Sequence, residues 1–220
     1  MTTPPSGGQL APPPPPPQPP LAGSRVRARA AALPAEERRA AIVAATVPLL
    51  ISYGTGITTR QIAEAAGIAE GTIFRVFPDK ESLIEAAVVQ AFDPAPAEAE
   101  LLAIDPTLPL EARLEAAVDV LQRRVAYIWR IMTAVGMSKV PEGSRAKSDR
   151  SGAETLSALA SVFEPDRDRL RIDPIAAADL LRGLTFASSH PALTFAQPLE
   201  PRELVAVILD GVRARPGKED

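Results

Sequence analysis

The sequence of 220 residues contains no cysteine and a single histidine, His190. The first absence removes disulfides, thiolate zinc sites and cysteine nucleophiles together. The second removes a His-rich metal centre and leaves a Ser-His-Asp triad with one candidate. His190 follows Ser188 and Ser189, but the Gly-x-Ser-x-Gly elbow after a strand is missing. Standing before Pro191, it reads as a helix-capping or interface residue. Aromatic side chains make up only 4% of the chain, so a packed core must rest on Ala, Leu, Ile and Val. No catalytic residue, metal or cofactor is expected, and the composition argues against an enzyme.

A secretory leader is not visible after Met1-Thr2-Thr3-Pro4-Pro5, which lacks both a basic and an apolar segment. Residues 40–59 carry no charge, but only 40–51 are strongly apolar. Pro48, Tyr53, Gly54, Thr55, Gly56, Thr58 and Thr59 interrupt the run, short of the ~20 apolar residues a bilayer requires. The chain therefore reads as soluble and cytoplasmic, with no membrane partner. Net charge is −3, yet residues 1–92 hold eight basic and seven acidic side chains against sixteen and twenty in the remainder. A nucleic-acid surface needs a basic patch rather than a basic chain, so local geometry decides that question.

Ten of the 24 prolines lie in residues 1–20, including the run Pro12 to Pro17. With no donors and little to bury, this segment reads as a disordered tail biased to polyproline II. From Leu33 onward the pattern is helical, and no strand alternation survives. Pro34, Glu36 and Glu37 suit a helix start, and Ile42, Ala45, Leu49 and Tyr53 recur at helical spacing. Gly54 ends that helix, and Pro48 inside it predicts a kink. Thr58 with Gln61 forms a capping box, with Ile57 and Ile62 at the staple positions. Asp79 caps a helix through Leu83, Ile84, Val88 and Phe92, after which Pro94 and Pro96 mark a boundary. Further helices are predicted over Leu110–Val135, Glu154–Phe163, Pro174–Ser188 and Arg202–Val212. Residues 138–151 read as a mobile loop, and Asp166-Arg167-Asp168-Arg169 as a solvated turn of alternating charge.

Residues 59–77 have the spacing of a helix-turn-helix. Ala63 is small where two helices cross, and Gly67 takes the positive φ of the turn. Ile68, Ile73 and Val76 then face Ile62 and Ala66 in a small shared core.

The text from Ile57 to Leu83, above all Gly71-Thr72-Ile73-Phe74 followed by Phe77-Pro78-Asp79-Lys80-Glu81, resembles the tetracycline-repressor-like (TetR) family of bacterial transcriptional regulators. The resemblance is strong over residues ~35–92 and beyond them rests on an all-helical remainder of suitable length. It implies an all-α fold, with a three-helix helix-turn-helix DNA-binding domain followed by a helical ligand-binding and dimerisation domain. Residues 1–32 are then a tail with a basic arm, 33–80 the DNA-binding domain and 81–220 the second domain. The implied partners are a double-stranded palindromic operator, a second copy of the chain and a small-molecule inducer.

Carried over residue by residue, the likeness assigns Thr59, Arg60 and Lys80 to phosphate. It assigns Glu70, Gly71, Thr72, Phe74 and Arg75 to the face turned to DNA, with Arg75 the candidate for reading guanine O6 and N7. Three positions depart from the family. Glu70 is acidic where Lys, Gln or Ser is usual; it cannot aid phosphate binding but can accept from cytosine N4. Phe74 replaces a tyrosine and loses its hydroxyl. Val76 stands where His or Tyr is common. Arg25, Arg27 and Arg29 form an alternate basic arm suited to the minor groove or the backbone.

In the second domain, Trp129, Met132, Thr133, Phe163 and Phe186 are the candidates for an apolar ligand pocket. Ile175, Leu180, Leu181 and Leu184, with Leu204, Val207, Ile208 and Val212, are the candidates for a four-helix dimer interface, Ala176-Ala177-Ala178 and Gly183 permitting close approach. The alternative is that these faces close the monomer's own core. The expected function is a ligand-released repressor, in which ligand shifts the helix carrying Lys80. A ligand-independent or activating regulator and an all-helical protein-interaction module are the alternatives.

Overall fold

The computed structural model describes residues 34–136, 152–194 and 197–212, all within one compact unit. Among these residues the chain is all-α, with no β-strand. The tail, the arm of Arg25, Arg27 and Arg29, and the whole of the loop expected at 138–151 lie outside them.

Helix α1 spans Ala35–Tyr53 and buries Ile42, Val43, Thr46, Val47 and Leu50. Its core face is therefore rotated from the expected stripe, and Tyr53 is 62% exposed. Thr46 can sit inside because its hydroxyl donates to the Ile42 carbonyl at 2.8 Å, leaving no polar atom unsatisfied. The helix runs unbroken through Pro48, which lies on its exposed side, where water can satisfy the carbonyl that proline leaves without a donor. By length and apolarity alone Ala35–Gly56 can cross a membrane. Here it is the central helix of the first hydrophobic core.

Gly54, at φ 63°, closes α1 and opens a 3₁₀ turn to Gly56. Helix α2 (Thr59–Ala66) starts on the capping box of Thr58 and Gln61, each side chain satisfying the other's backbone N–H. Ile57 and Ile62 are both buried below it. Helix α3 is a single turn, Glu70–Ile73, and α4 covers Lys80–Ala91. Asp79 caps α4 by accepting from the Ser82 N–H at 2.7 Å, and bonds from the Ser82 hydroxyl and amide hold its carboxyl below the usual range.

A second core lies beyond α4. Pro94 and Pro96 mark the break after α4 and also start helix α5 (Ala95–Leu102), which was not expected, because proline suits a first turn that has no N–H partners to lose. Helix α6 runs Leu110–Val135 as expected, about 39 Å at 1.5 Å per residue. Its length lets it serve both cores: Leu114, Val118 and Leu121 pack in the second, Ile131 and Val135 in the first. Helix α7 covers 152–160, α8 Pro174–Ser189 and α9 Pro201–Val212.

The stretch Asp166–Arg169 is not a solvated turn throughout. It belongs to a 3₁₀ helix, Glu164–Arg169, and Asp166 is turned inward against Arg113 of α6, which is 3% exposed. Arg113 also donates to the carbonyls of Val162, Pro106 and Leu108, so a buried charge has four acceptors for its five N–H donors. The apolar faces of α8 and α9 divide. Leu181, Leu204 and Ile208 are buried in the chain's own core, whereas Ile175, Leu180 and Val207 are more than half exposed. The side chain of Val212 lies outside the description.

Candidate nucleic-acid interface and ligand cavity

The turn between α2 and α3 is made by Gly67 in the left-handed region, φ 66° and ψ 31°, with its N–H on the carbonyls at the end of α2. Ala63 is 2% exposed, which lets the two helices cross closely, and Ile62 and Ile73 are fully buried between them. These inward anchors leave the opposite sides of α2 and α3 free. Thr59 and Arg60 stand at the start of α2; Glu70, Gly71, Thr72, Phe74 and Arg75 stand on and just after α3. Phe74 is 52% exposed, and Arg75 is exposed without a side-chain partner among the described residues. An unpaired guanidinium beside an exposed ring forms a surface for an external acceptor.

Two residues have additional roles that their positions in the sequence do not disclose. The Thr59 hydroxyl donates to a Glu70 carboxylate oxygen, tying the first residue of α2 to the first of α3. The Lys80 ammonium donates to the carbonyls of Thr55, at 3.1 Å, and Ile57, at 3.3 Å. The start of α4 is thereby fastened to the segment that leads into α2, and one of the three ammonium protons remains for an external acceptor. Arg60 pairs with Glu64 on the surface of α2. The Arg39 guanidinium lies 4.3 Å from the centre of the buried Phe77 ring, bracing the turn after α3.

A hollow of about 470 Å³ lies beside α6, between the end of α4 and α8. Trp129, Met132 and Phe186 line it together. Thr133 and Phe163 do not: Thr133 faces solvent, and Phe163 is fully buried in the second core, its ring already enclosed by neighbours. His190, at the C-terminal cap of α8, completes an aromatic cluster. Its ring centre is 4.7 Å from Trp129, edge-on, and 4.8 Å from Phe186.

Arg124 and Arg182 also line this hollow, although neither was singled out in the sequence. The spacing of Arg124 and Ile128 along α6 is the available signal, since residues four apart share a helix face. Arg124 donates to the Ala91 carbonyl, the last of α4, at 2.8 Å. A larger hollow, about 570 Å³, lies between α1, α4, α5 and α6. There Arg123 is already paired with Glu100 and Asp119.

Residues 42–87 match the family model described as bacterial regulatory proteins, tetR family. No curated protein matches the sequence. Among solved structures, the chain resembles a protein assigned to the TetR family of transcriptional regulators from Mesorhizobium loti, with TM-score 0.60 and 20% identity over 82% of this chain and 98% of that one. A TetR-family transcriptional regulator from Agrobacterium tumefaciens gives TM-score 0.55 and 17% identity over 82% and 100%. The protein SmeT, in complex with triclosan, gives 0.53 and 18% over 84% and 97%.

Proposed function

With residues 42–87 placing the chain in the tetR family of bacterial regulatory proteins, and its fold that of the family, we propose that it is a homodimeric repressor that binds a palindromic operator and is released by a small molecule. The observation that carries this reading is the surface of α3. Inward anchors Ile73 and Phe77 fix the orientation of that turn, so that Thr72, Phe74 and Arg75 stand on its other side. Residues on such a face reach base edges in the major groove, while the backbone N–H of Thr59, the Arg60 side chain and the spare proton of Lys80 serve the phosphates on either flank. Glu70 lowers phosphate affinity but suits a cytosine N4 donor, and the Thr59 hydroxyl orients its carboxylate for that contact.

Dimerisation is supported by an exposed stripe on α8. Ile175, Ala176, Leu180, Gly183 and Phe186 recur at helical spacing, with Val207 exposed on α9. Two such stripes across a two-fold axis make a four-helix contact, with Gly183 allowing close approach. Release follows from α4, about 18 Å long, which is fastened at its end to Arg124 by the cavity and at its start by Lys80 to the approach to α2. Ligand that moves Arg124 moves α4, and the two recognition surfaces no longer match grooves ~34 Å apart. A triclosan complex of SmeT, a protein of this fold, supports a small-molecule effector. The reading implies a cytoplasmic protein.

The test is binding of the full chain to duplex DNA from upstream of its own gene, titrated at several salt concentrations alongside a scrambled duplex. Selective binding whose affinity falls steeply with salt is expected. Equal binding to both duplexes, or none at about 50 mM salt, sinks the reading.

A further inference from the structure

The hollow beside Trp129 has a one-sided chemistry. Its walls are apolar and aromatic, and its polar lining consists of Arg124, Thr155, Arg182 and His190, with no carboxylate among the described residues. The Thr155 hydroxyl gives its proton to Glu98. Each arginine spends one described hydrogen bond elsewhere, Arg124 on the Ala91 carbonyl and Arg182 on Asp179, out of five N–H donors apiece. His190 accepts from the Ala192 N–H at Nδ1, which leaves Nε2 as the protonated nitrogen of the neutral ring. Burial holds the Arg124 guanidinium below its usual proton affinity despite nearby Tyr127, Asp93 and Glu98. Beyond the bond to the Ala91 carbonyl, its N–H donors carry no described hydrogen bond.

Resting on the reading of this hollow as the effector site, we propose that it takes aromatic acids: a flat apolar body lies against Trp129 and Phe186, and an anionic oxygen turns to Arg124 and Arg182. An aromatic ring adds edge and face contacts to the existing cluster. A carboxylate or phenolate completes the arginine donors with charge-assisted bonds, which are stronger than those a neutral acceptor makes. A neutral ligand offers the half-buried guanidinium only the weaker bonds of an uncharged acceptor, and a cationic one adds repulsion. The volume suits a molecule of two rings. Because the same guanidinium holds the last carbonyl of α4, an acid seated on it acts directly on that helix.

Trp129 is the only tryptophan in the chain, so its fluorescence reports this site alone. The full-length protein, without DNA, is titrated with biphenyl-4-carboxylate and separately with the isosteric biphenyl-4-carboxamide, with calorimetry as a second readout. The acid is expected to quench Trp129 and to bind at least about tenfold more tightly than the amide, a difference of about 1.4 kcal/mol. Arg124→Met is expected to abolish the preference, weakening the acid far more than the amide. Should that variant fail to fold, Arg182→Met, at an exposed position, is expected to reduce the preference by itself. An amide that binds as well as the acid overturns the proposal. So does a preference that survives both substitutions, or the absence of any response at Trp129. Operator release by the bound acid is measured separately, so failure of the regulator reading is distinguishable from failure of the site.

Discussion

Replacing Arg75 with methionine separates what the recognition surface does for the fold from what it does for DNA. The side chain is exposed and unpaired among the described residues, so its loss is expected to change unfolding free energy by less than about 0.5 kcal/mol. A bidentate contact to guanine contributes about 1–3 kcal/mol of discrimination. The contact occurs twice in a symmetric dimer, giving about 2–6 kcal/mol, or about 30-fold to over 10⁴-fold in operator affinity. Fluorescence anisotropy at fixed salt measures this on the operator, on an operator with the contacted guanines replaced, and on unrelated duplex. Arg75→Met is expected to weaken the first strongly and the others little. If Arg75 instead holds phosphate, all three fall by the same factor and the salt slope drops by about 1.8 per dimer. An unchanged operator affinity refutes the placement of this face on DNA.

Four further outcomes follow from particular contacts. A Cβ on Gly71 meets no atom of the chain, so Gly71→Ala is expected to keep or raise the melting temperature, by up to about 1 kcal/mol of helix propensity, while weakening operator binding. Loss of stability in a thermal melt contradicts that. Arg113→Met leaves Asp166 inward without its main partner and is expected to cost about 3–5 kcal/mol in urea unfolding. Arg113, then Arg169, hold the Asp166 carboxyl below its ordinary value of 3.8, offset in part by burial. Its contribution is therefore present above about pH 4 and lost as pH falls through the lower folded value. Asp166→Asn is expected to remove that acid-side loss from melting curves taken between about pH 5 and pH 2, and identical pH profiles refute it. Leu180→Glu, on the exposed stripe of α8, is expected to give a folded monomer by light scattering; a dimer that persists contradicts the interface.

Much of the recognition end was legible because its signals are local. The Thr58–Gln61 box, Gly67 and the Asp79 cap each involve residues within a few positions, and backbone sterics give them few other uses. Helix α6 was legible for the same reason, bounded by Pro109 and Gly136. Helix α5 was not, because Pro94 and Pro96 stop a preceding helix and start a following one with equal ease. Tertiary pairing decided the rest. Arg113 and Asp166 are 53 positions apart, and nothing in either neighbourhood marks the pair as buried. Likewise the apolar residues of α8 read as one face, whereas packing against α6 and α9 takes Leu181 inside and leaves Ile175 and Leu180 outside. The cavity met the same limit. Trp129, Met132 and Phe186 were visible as bulk, but Phe163 could not be told from them, and Arg124 gained its meaning only from the Ala91 carbonyl across the fold.

Dimethyl sulfate probing of the operator complex tests the central claim most directly, because guanine N7 opens only to the major groove. Two protected clusters about one helical turn apart are expected, both restored to full reactivity by Arg75→Met. Guanines that stay reactive throughout the bound site, or protection indifferent to Arg75, contradict it.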